Sequence, residues 1–146
     1  MCMLRKNPTS PRELIDDLDL TLRDRRFSED VKNTAVVAIR FAEVLRNVLD
    51  DTQREALEIA KRFWLDGVED GFNDCVLKFA KIVDTDQKSE HASNTVAKNR
   101  IIWSSLNRMT RFDGYAAEFL VLTGEKAGLT VQQMRDVMAS VLGCHV

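Results

Sequence analysis

Side chains able to do covalent or metal chemistry are few in this chain, and their spacing decides what they could do. The two histidines are His91 and His145. Cys144 and His145 set a nucleophile beside a base, but neighbours near a fraying end are not held in the geometry that activates a thiolate. Cys75 falls beside the apolar face of a helical segment, where a free cysteine behaves as a small hydrophobe. Glu90 and His91 are adjacent, so on a helix they point in different directions, and neither His-Glu-x-x-His nor the Glu-x-x-His pair of di-iron bundles occurs. Asp84-x-Asp86-x-Lys88 opens like a calcium loop, yet the sixth and twelfth positions, which need Gly and Glu, hold Ser89 and Thr95. The carboxylates at Asp16, Asp17 and Asp19, and at Asp50 and Asp51, read as helix-surface and loop charge. Nucleophile-elbow, phosphate-loop and dinucleotide glycine patterns are missing from the sequence. No catalytic residue, metal or cofactor is expected, and the chain does not read as an enzyme.

The elements that carry these residues are legible from apolar spacing and start signals. Ser10-Pro11-Arg12-Glu13 combines a capping box with proline at the first helical position. Leu14, Ile15, Leu18 and Leu22 then predict a first helix to about Asp24. Ser28 opens a longer second helix through Leu49, ended by Asp50-Asp51. Thr52-Gln53-Arg54-Glu55 is a second capping box, starting a third helix that Gly67 closes in the left-handed conformation. Asp70 is placed to cap a fourth, bearing Phe72, Val76, Phe79 and Val83. The polar run Asp84 to Glu90 reads as a loop inside one domain, before a fifth helix from about Ser89 to Met109. Asp113 starts a sixth, stopped near Gly124 to Gly128, and Thr130-Val131-Gln132-Gln133 caps the last, which Gly143 ends. The expectation is an all-α, single-domain bundle of about seven helices over residues 10–143, with residues 1–9 disordered or extended. An α-solenoid ranks second, because no internal repeat supports it.

Bulk properties exclude several classes of partner. Net charge is −2 and the pI about 5.7, with 21 basic and 23 acidic residues interspersed. That is no footprint for nucleic acid. The segment Gly128 to Leu142 has the flavour of a recognition helix, but its only basic residue is Arg135, and a phosphate footprint needs several. Mixed charge signs on the helices argue against a membrane surface, and no apolar run is long enough for a membrane span or a signal peptide. Three cysteines, far apart and without a Cys-x-x-Cys pair, predict neither a zinc site nor a disulfide scaffold, but a reduced cytoplasmic setting.

What remains is recognition. In the stretch EALEIAKRFWLDG, Ala56, Leu57, Ala60, Phe63 and Trp64 share one stripe, which predicts that both aromatics are aimed inward and that Trp64 is packed in the interior. Aromatics at helical spacing elsewhere read as core, with two exceptions. Phe112 and Tyr115 lie with Arg111 at the turn Arg111-Phe112-Asp113-Gly114-Tyr115, the composition of an interface hot spot. The acidic turn after the third helix, with Asp66, Glu69 and Asp70, is the second candidate surface for a partner.

The run Phe41-Ala42-Glu43-Val44-Leu45, followed by Ala56-Leu57-x-x-Ala60-x-x-x-Trp64-x-x-Gly67, resembles an all-helical immunity-protein family of bacterial polymorphic-toxin systems, as does the later His91-Ala92. The tryptophan falls one place differently relative to the alanine than in that family, and the later helices are poorer in alanine. The resemblance implies a cytoplasmic protein that neutralises a cognate toxin by binding it, without catalysis. The expectation is therefore a non-catalytic protein-binding module, an immunity-like inhibitor in its most specific form, with a protein partner and neither nucleic acid nor membrane. The alternative is a helical homo-oligomer of structural or regulatory role, for which a homodimer is the simplest form. A small-molecule-binding bundle is a third class and would need a cavity near Trp64 and Trp103.

Overall fold

The computed structural model describes residues 1–87 and 93–144. Among them the chain forms eight α-helices and one 3-10 turn, with no strand. The helices are α1 (Pro11–Thr21), α2 (Arg25–Ser28), α3 (Val31–Val44), α4 (Asp51–Asp66), α5 (Phe72–Gln87), α6 (Asn94–Leu106), α7 (Gly114–Ala127) and α8 (Val131–Leu142), and the 3-10 turn is Arg46–Val48. The all-α bundle is as the periodicity predicts, but the predicted second helix is three elements. Ser28 closes the short α2 rather than opening a long helix, and Asp30 starts α3 by accepting the Lys32 N–H at 2.9 Å.

Asp50 and Asp51 likewise start a helix instead of ending one. Asp50 accepts the Gln53 N–H at 2.7 Å while Gln53 accepts the Asp50 N–H at 2.9 Å, so the capping box sits two residues upstream of the predicted Thr52 box. The Gln53 amide also donates to Asn99 Oδ1 at 2.8 Å, and Asn99 donates to Asp86 at 3.1 Å. Buried amides must be partnered, and this chain of bonds fixes which residue begins α4. At Ser10 only half the predicted box forms, since Glu13 turns to the Thr9 N–H and hydroxyl instead. Thr130 and Gln133 close theirs fully. Gly67 and Gly143 take φ of 71° and 72° as expected. Gly71, not Asp70, directly precedes α5, and α5 continues through Gln87, so the predicted loop is helical over its first four residues. Ser93 caps α6, four residues later than predicted, and α6 ends at Leu106 rather than Met109. Ser89, Glu90, His91, Ala92 and His145 lie outside the described residues.

α3 is the centre of the packing, touching α4, α6, α7 and α8, and its closest partner is α6. Val37, Ile39 and Phe41 of α3 meet Ile101, Ile102 and Leu106 of α6 in one core, all essentially inaccessible to water. Each such side chain contributes about 1.5–3 kcal/mol. Gly124 does not stop α7. A Cβ there would lie 2.7 Å from Met134 Sδ and 3.3 Å from Phe41, so the glycine lets α7 approach α8 and α3 closely.

Residues 1–9 are without helix but are bound to the bundle as a strap. Arg5 grips Asp17 of α1 through Nε at 2.9 Å and a second nitrogen at 3.0 Å, and its own N–H donates to the same carboxylate. Across the strap, Arg135 of α8 donates to the Arg5 carbonyl at 2.9 Å and Gln132 to that of Lys6 at 3.1 Å. Arg135 is only 1% exposed, so the strap's carbonyl serves a buried guanidinium that cannot touch a phosphate. The strap is fastened by a disulfide between Cys2 and Cys144. This overturns the expectation of reduced cysteines: 142 residues separate the pair in sequence, and the fold brings their Cα atoms to 5.8 Å. Cys75 is the free thiol.

Two outcomes follow for stability. Replacing Cys2 and Cys144 by serine should lower the unfolding free energy by roughly 2–4 kcal/mol, with loop entropy setting a ceiling of about 5 kcal/mol. Urea denaturation with and without a dithiol reductant checks this, since reductant should shift the parent protein and leave the double variant unmoved. Burial pushes the Asp17 pKa up, but the Arg5 hydrogen bonds and charge outweigh it and hold the carboxyl below its usual range. A depressed carboxylate stabilises the fold above its ordinary value, near pH 4, and that contribution is lost as pH falls through the folded value. Asp17→Asn should therefore cost roughly 1.5–3 kcal/mol at pH 7, and its difference from the parent should shrink as pH falls below the ordinary carboxylate value, read by urea midpoints at neutral and acid pH.

Candidate functional site

Two of the predicted surfaces flank the loop that follows α6. Asp66, Glu69 and Asp70 are exposed in the turn between α4 and α5. Beside them, Phe63 stacks on Phe72 with ring centroids 3.8 Å apart, and Arg108, just past α6, lies 5.8 Å and 5.5 Å from those two rings. Trp64 is not in the interior as predicted. It is half-buried at the last turn of α4, its indole N–H donating to the Ser105 carbonyl at 2.8 Å. An indole needs that polar outlet, which keeps the ring near the bundle's end.

Arg111, Phe112 and Tyr115 follow directly on Arg108, but only two of them face water. Arg111 is exposed and Tyr115 is 88% exposed, whereas Phe112 is fully buried. Phe112 precedes the Asp113 cap, which accepts the Ala116 N–H at 2.9 Å. An apolar residue in that place packs back onto the helix's first turns, so Phe112 belongs to the core and leaves the predicted surface.

The helix it introduces has two apolar faces. Ala116, Ala117, Leu120, Val121, Gly124 and Ala127 are buried against the bundle. On the outer side Tyr115, Phe119 and Leu122 stand at i, i+4 and i+7, and are 88%, 43% and 42% exposed. Met109, in the preceding loop, is 86% exposed. A helix apolar on both sides normally has something on both sides. Phe119 and Leu122 are not among the surface residues expected from sequence, although the 115, 119, 122 spacing carries the signal.

Two grooves open on either side of Tyr115. One, of about 450 Å³, runs between α1 and α7 and is lined by Asp16, Asp19, Asp113 and Glu118 with Arg12 as the only cation. The other, of about 380 Å³, is walled by Trp103, Tyr115, Phe119 and Leu120, with Thr34, Ser104, Asn107 and Thr110 as polar members. Thr34 is 2% exposed and its hydroxyl has no hydrogen-bond partner among the described residues. Trp103 thus lines a surface groove rather than an internal cavity shared with Trp64.

Elsewhere the chemistry is muted. Cys75 lines a third groove, between α4 and α5, with Glu55, Asp74 and Lys78. Burial pushes its thiol pKa up, which is the opposite of what an attacking thiolate requires. Among the described residues no group of three or more histidine, cysteine or carboxylate side chains is gathered for a metal.

An unpartnered buried hydroxyl costs about 1–3 kcal/mol. Thr34→Val, of nearly the same shape, should therefore raise the stability of the isolated protein by about 1 kcal/mol, measured as an increase in urea midpoint.

No family model, no curated protein sequence and no solved structure matches this chain.

Proposed function

We propose that this chain is a non-catalytic protein-binding module that meets its partner through the outer face of α7. The single observation behind this reading is the exposed stripe of Tyr115, Phe119 and Leu122 on a helix whose other face is already buried. Exposed apolar area of this kind, rimmed by polar residues, is the mark of an interaction site. The rim gives the partner's sign. Four carboxylates against one guanidinium line the groove beside Tyr115, so the partner presents a basic surface. Asp66, Glu69 and Asp70 form a second acidic patch in the α4–α5 turn, with Arg108 beside it. Nucleic acid and anionic membranes do not suit such a rim.

In its most specific form the module is an immunity-like inhibitor of a bacterial toxin. That step rests on the resemblance of the Phe41–Leu45 and Ala56–Gly67 segments. The cytoplasmic setting that goes with it is not favoured by the Cys2–Cys144 bond, which suits an oxidising compartment. The competing reading, a homodimer through the same stripe, meets an electrostatic difficulty. A two-fold contact with its axis across α7 sets each acidic rim against its own copy, and like charges across an interface oppose association.

The experiment co-expresses this protein with the product of the adjacent reading frame in its genome. The expected result is that the neighbour is toxic alone, is neutralised in company and co-purifies as a complex that weakens with salt. Tyr115→Ala combined with Phe119→Ala should weaken binding at least about 100-fold, as loss of two anchors does, while changing stability by less than about 0.5 kcal/mol because both are surface residues. A non-toxic neighbour that does not bind removes the inhibitor reading. A stable dimer in sedimentation, dispersed by Phe119→Glu, replaces the module with the homo-oligomer.

A further inference from the structure

The groove between α3, α6 and α7 has features that a flat contact with a partner does not need. Its lining includes two aromatics, Trp103 from α6 and Phe119 from α7, together with Leu120. At about 380 Å³ it is in the size range of sites that engulf a ring, roughly 300–1,000 Å³. Its polar peculiarity is Thr34, a buried side chain of α3 whose hydroxyl has no partner among the described residues. Helical threonines usually return that hydroxyl to a carbonyl one turn back, as Thr21 does to Asp17 at 2.8 Å. Thr34 forgoes this bond. Thr34 lines the groove, and because threonine has two populated χ1 wells in a helix, its hydroxyl can turn toward an occupant.

We infer that this groove is the anchor pocket of the α7 face and takes an aromatic side chain bearing a hydrogen-bonding group, tyrosine above all, from a basic segment of the partner. The inference rests on the protein-binding reading and names the chemistry of the partner at that site. A ring in this groove would meet Trp103 and Phe119, and aromatic pairs prefer edge or offset contact. Its hydroxyl or N–H answers Thr34, which a phenylalanine leaves unanswered. The flanking residues are basic because the acidic groove of Asp16, Asp19 and Glu118 is continuous with this one through Asp113 and Tyr115, which line both. The polar requirement would give the site its selectivity, since a buried polar group left unpaired discriminates more sharply than an apolar wall.

The test titrates the full, disulfide-intact protein with three acetylated, amidated tripeptides while following backbone amide NMR shifts. The probes are Lys-Tyr-Lys, Lys-Phe-Lys and Glu-Tyr-Glu. Lys-Tyr-Lys should shift the amides of Thr34, Trp103 and Phe119 saturably, and should bind about fivefold tighter than Lys-Phe-Lys, the margin of one hydrogen bond. Glu-Tyr-Glu should bind at least about tenfold more weakly, as like-charge repulsion demands. Thr34→Val should bring Lys-Tyr-Lys down to the level of Lys-Phe-Lys and leave the latter unmoved, and Thr34→Ser should keep the preference. No saturable shift with Lys-Tyr-Lys, equal affinity for tyrosine and phenylalanine, or a preference that survives Thr34→Val would each overturn the inference. These failures leave the co-expression result untouched, so the pocket can fall while the module stands. Partner binding that ignores Tyr115 and Phe119 brings down both.

Discussion

The burial of α3 is the constraint on which the rest of this structure depends. A helix surrounded by α4, α6, α7 and α8 must be apolar on nearly every side, and Val37, Ala38, Ile39, Phe41 and Ala42 supply that continuously. Everything else is arranged around the enclosure. Gly124 removes its side chain so that α7 can close on Phe41, and the Gln53–Asn99–Asp86 chain of amides and carboxylate locks α4, α6 and α5 in register beside it. The enclosure is incomplete at Thr34. This residue, in the first turns of α3, is buried but lines an open groove between α6 and α7, and its hydroxyl goes unanswered among the described residues.

That gap and the outer face of α7 are two aspects of one arrangement. α7 carries three charged residues in fourteen, too few to solvate a surface helix. Its inner face completes the cover over α3, and its outer face adds Tyr115 and Phe119 to the walls of the groove that ends at Thr34. Stability and recognition thus draw on opposite sides of the same helix. Replacements outside need not disturb the core, and this separation is what makes a rigid scaffold useful for binding.

Much of the frame is legible in the sequence because its signals are local. Ser10, Asp113 and Thr130 cap the helices that their side chains announce, and Gly67 and Gly143 end theirs for the same steric reason. Where expectation and structure part, packing or a partner remote in sequence decides. Two overlapping capping patterns, Asp50 with Gln53 and Thr52 with Glu55, are equal on local grounds, and the buried bond from Gln53 to Asn99, 46 residues away, decides between them. Ser28 and Asp30 present the same local ambiguity as starts for α3. Phe112 resembles an interface aromatic because turns favour exposure, but its place before the Asp113 cap turns it inward. Of the predicted contact surface, Arg111, Tyr115 and the acidic turn remain exposed; Phe119 and Leu122 join it by a spacing already present in the sequence, while Thr34 emerges only from the packing of α7 on α3. The pairing of Cys2 with Cys144 is beyond any local rule, since the bundle itself sets the ends beside each other.

That pairing has a mechanical side. With residues 2 and 144 bonded, the backbone between them forms a covalent ring that contains every helix described. Tension applied to the chain on the far sides of residues 2 and 144 passes straight through sulfur and never loads the bundle. A pull strong enough to unravel an open chain of this size leaves the ringed one folded until a reductant cuts it.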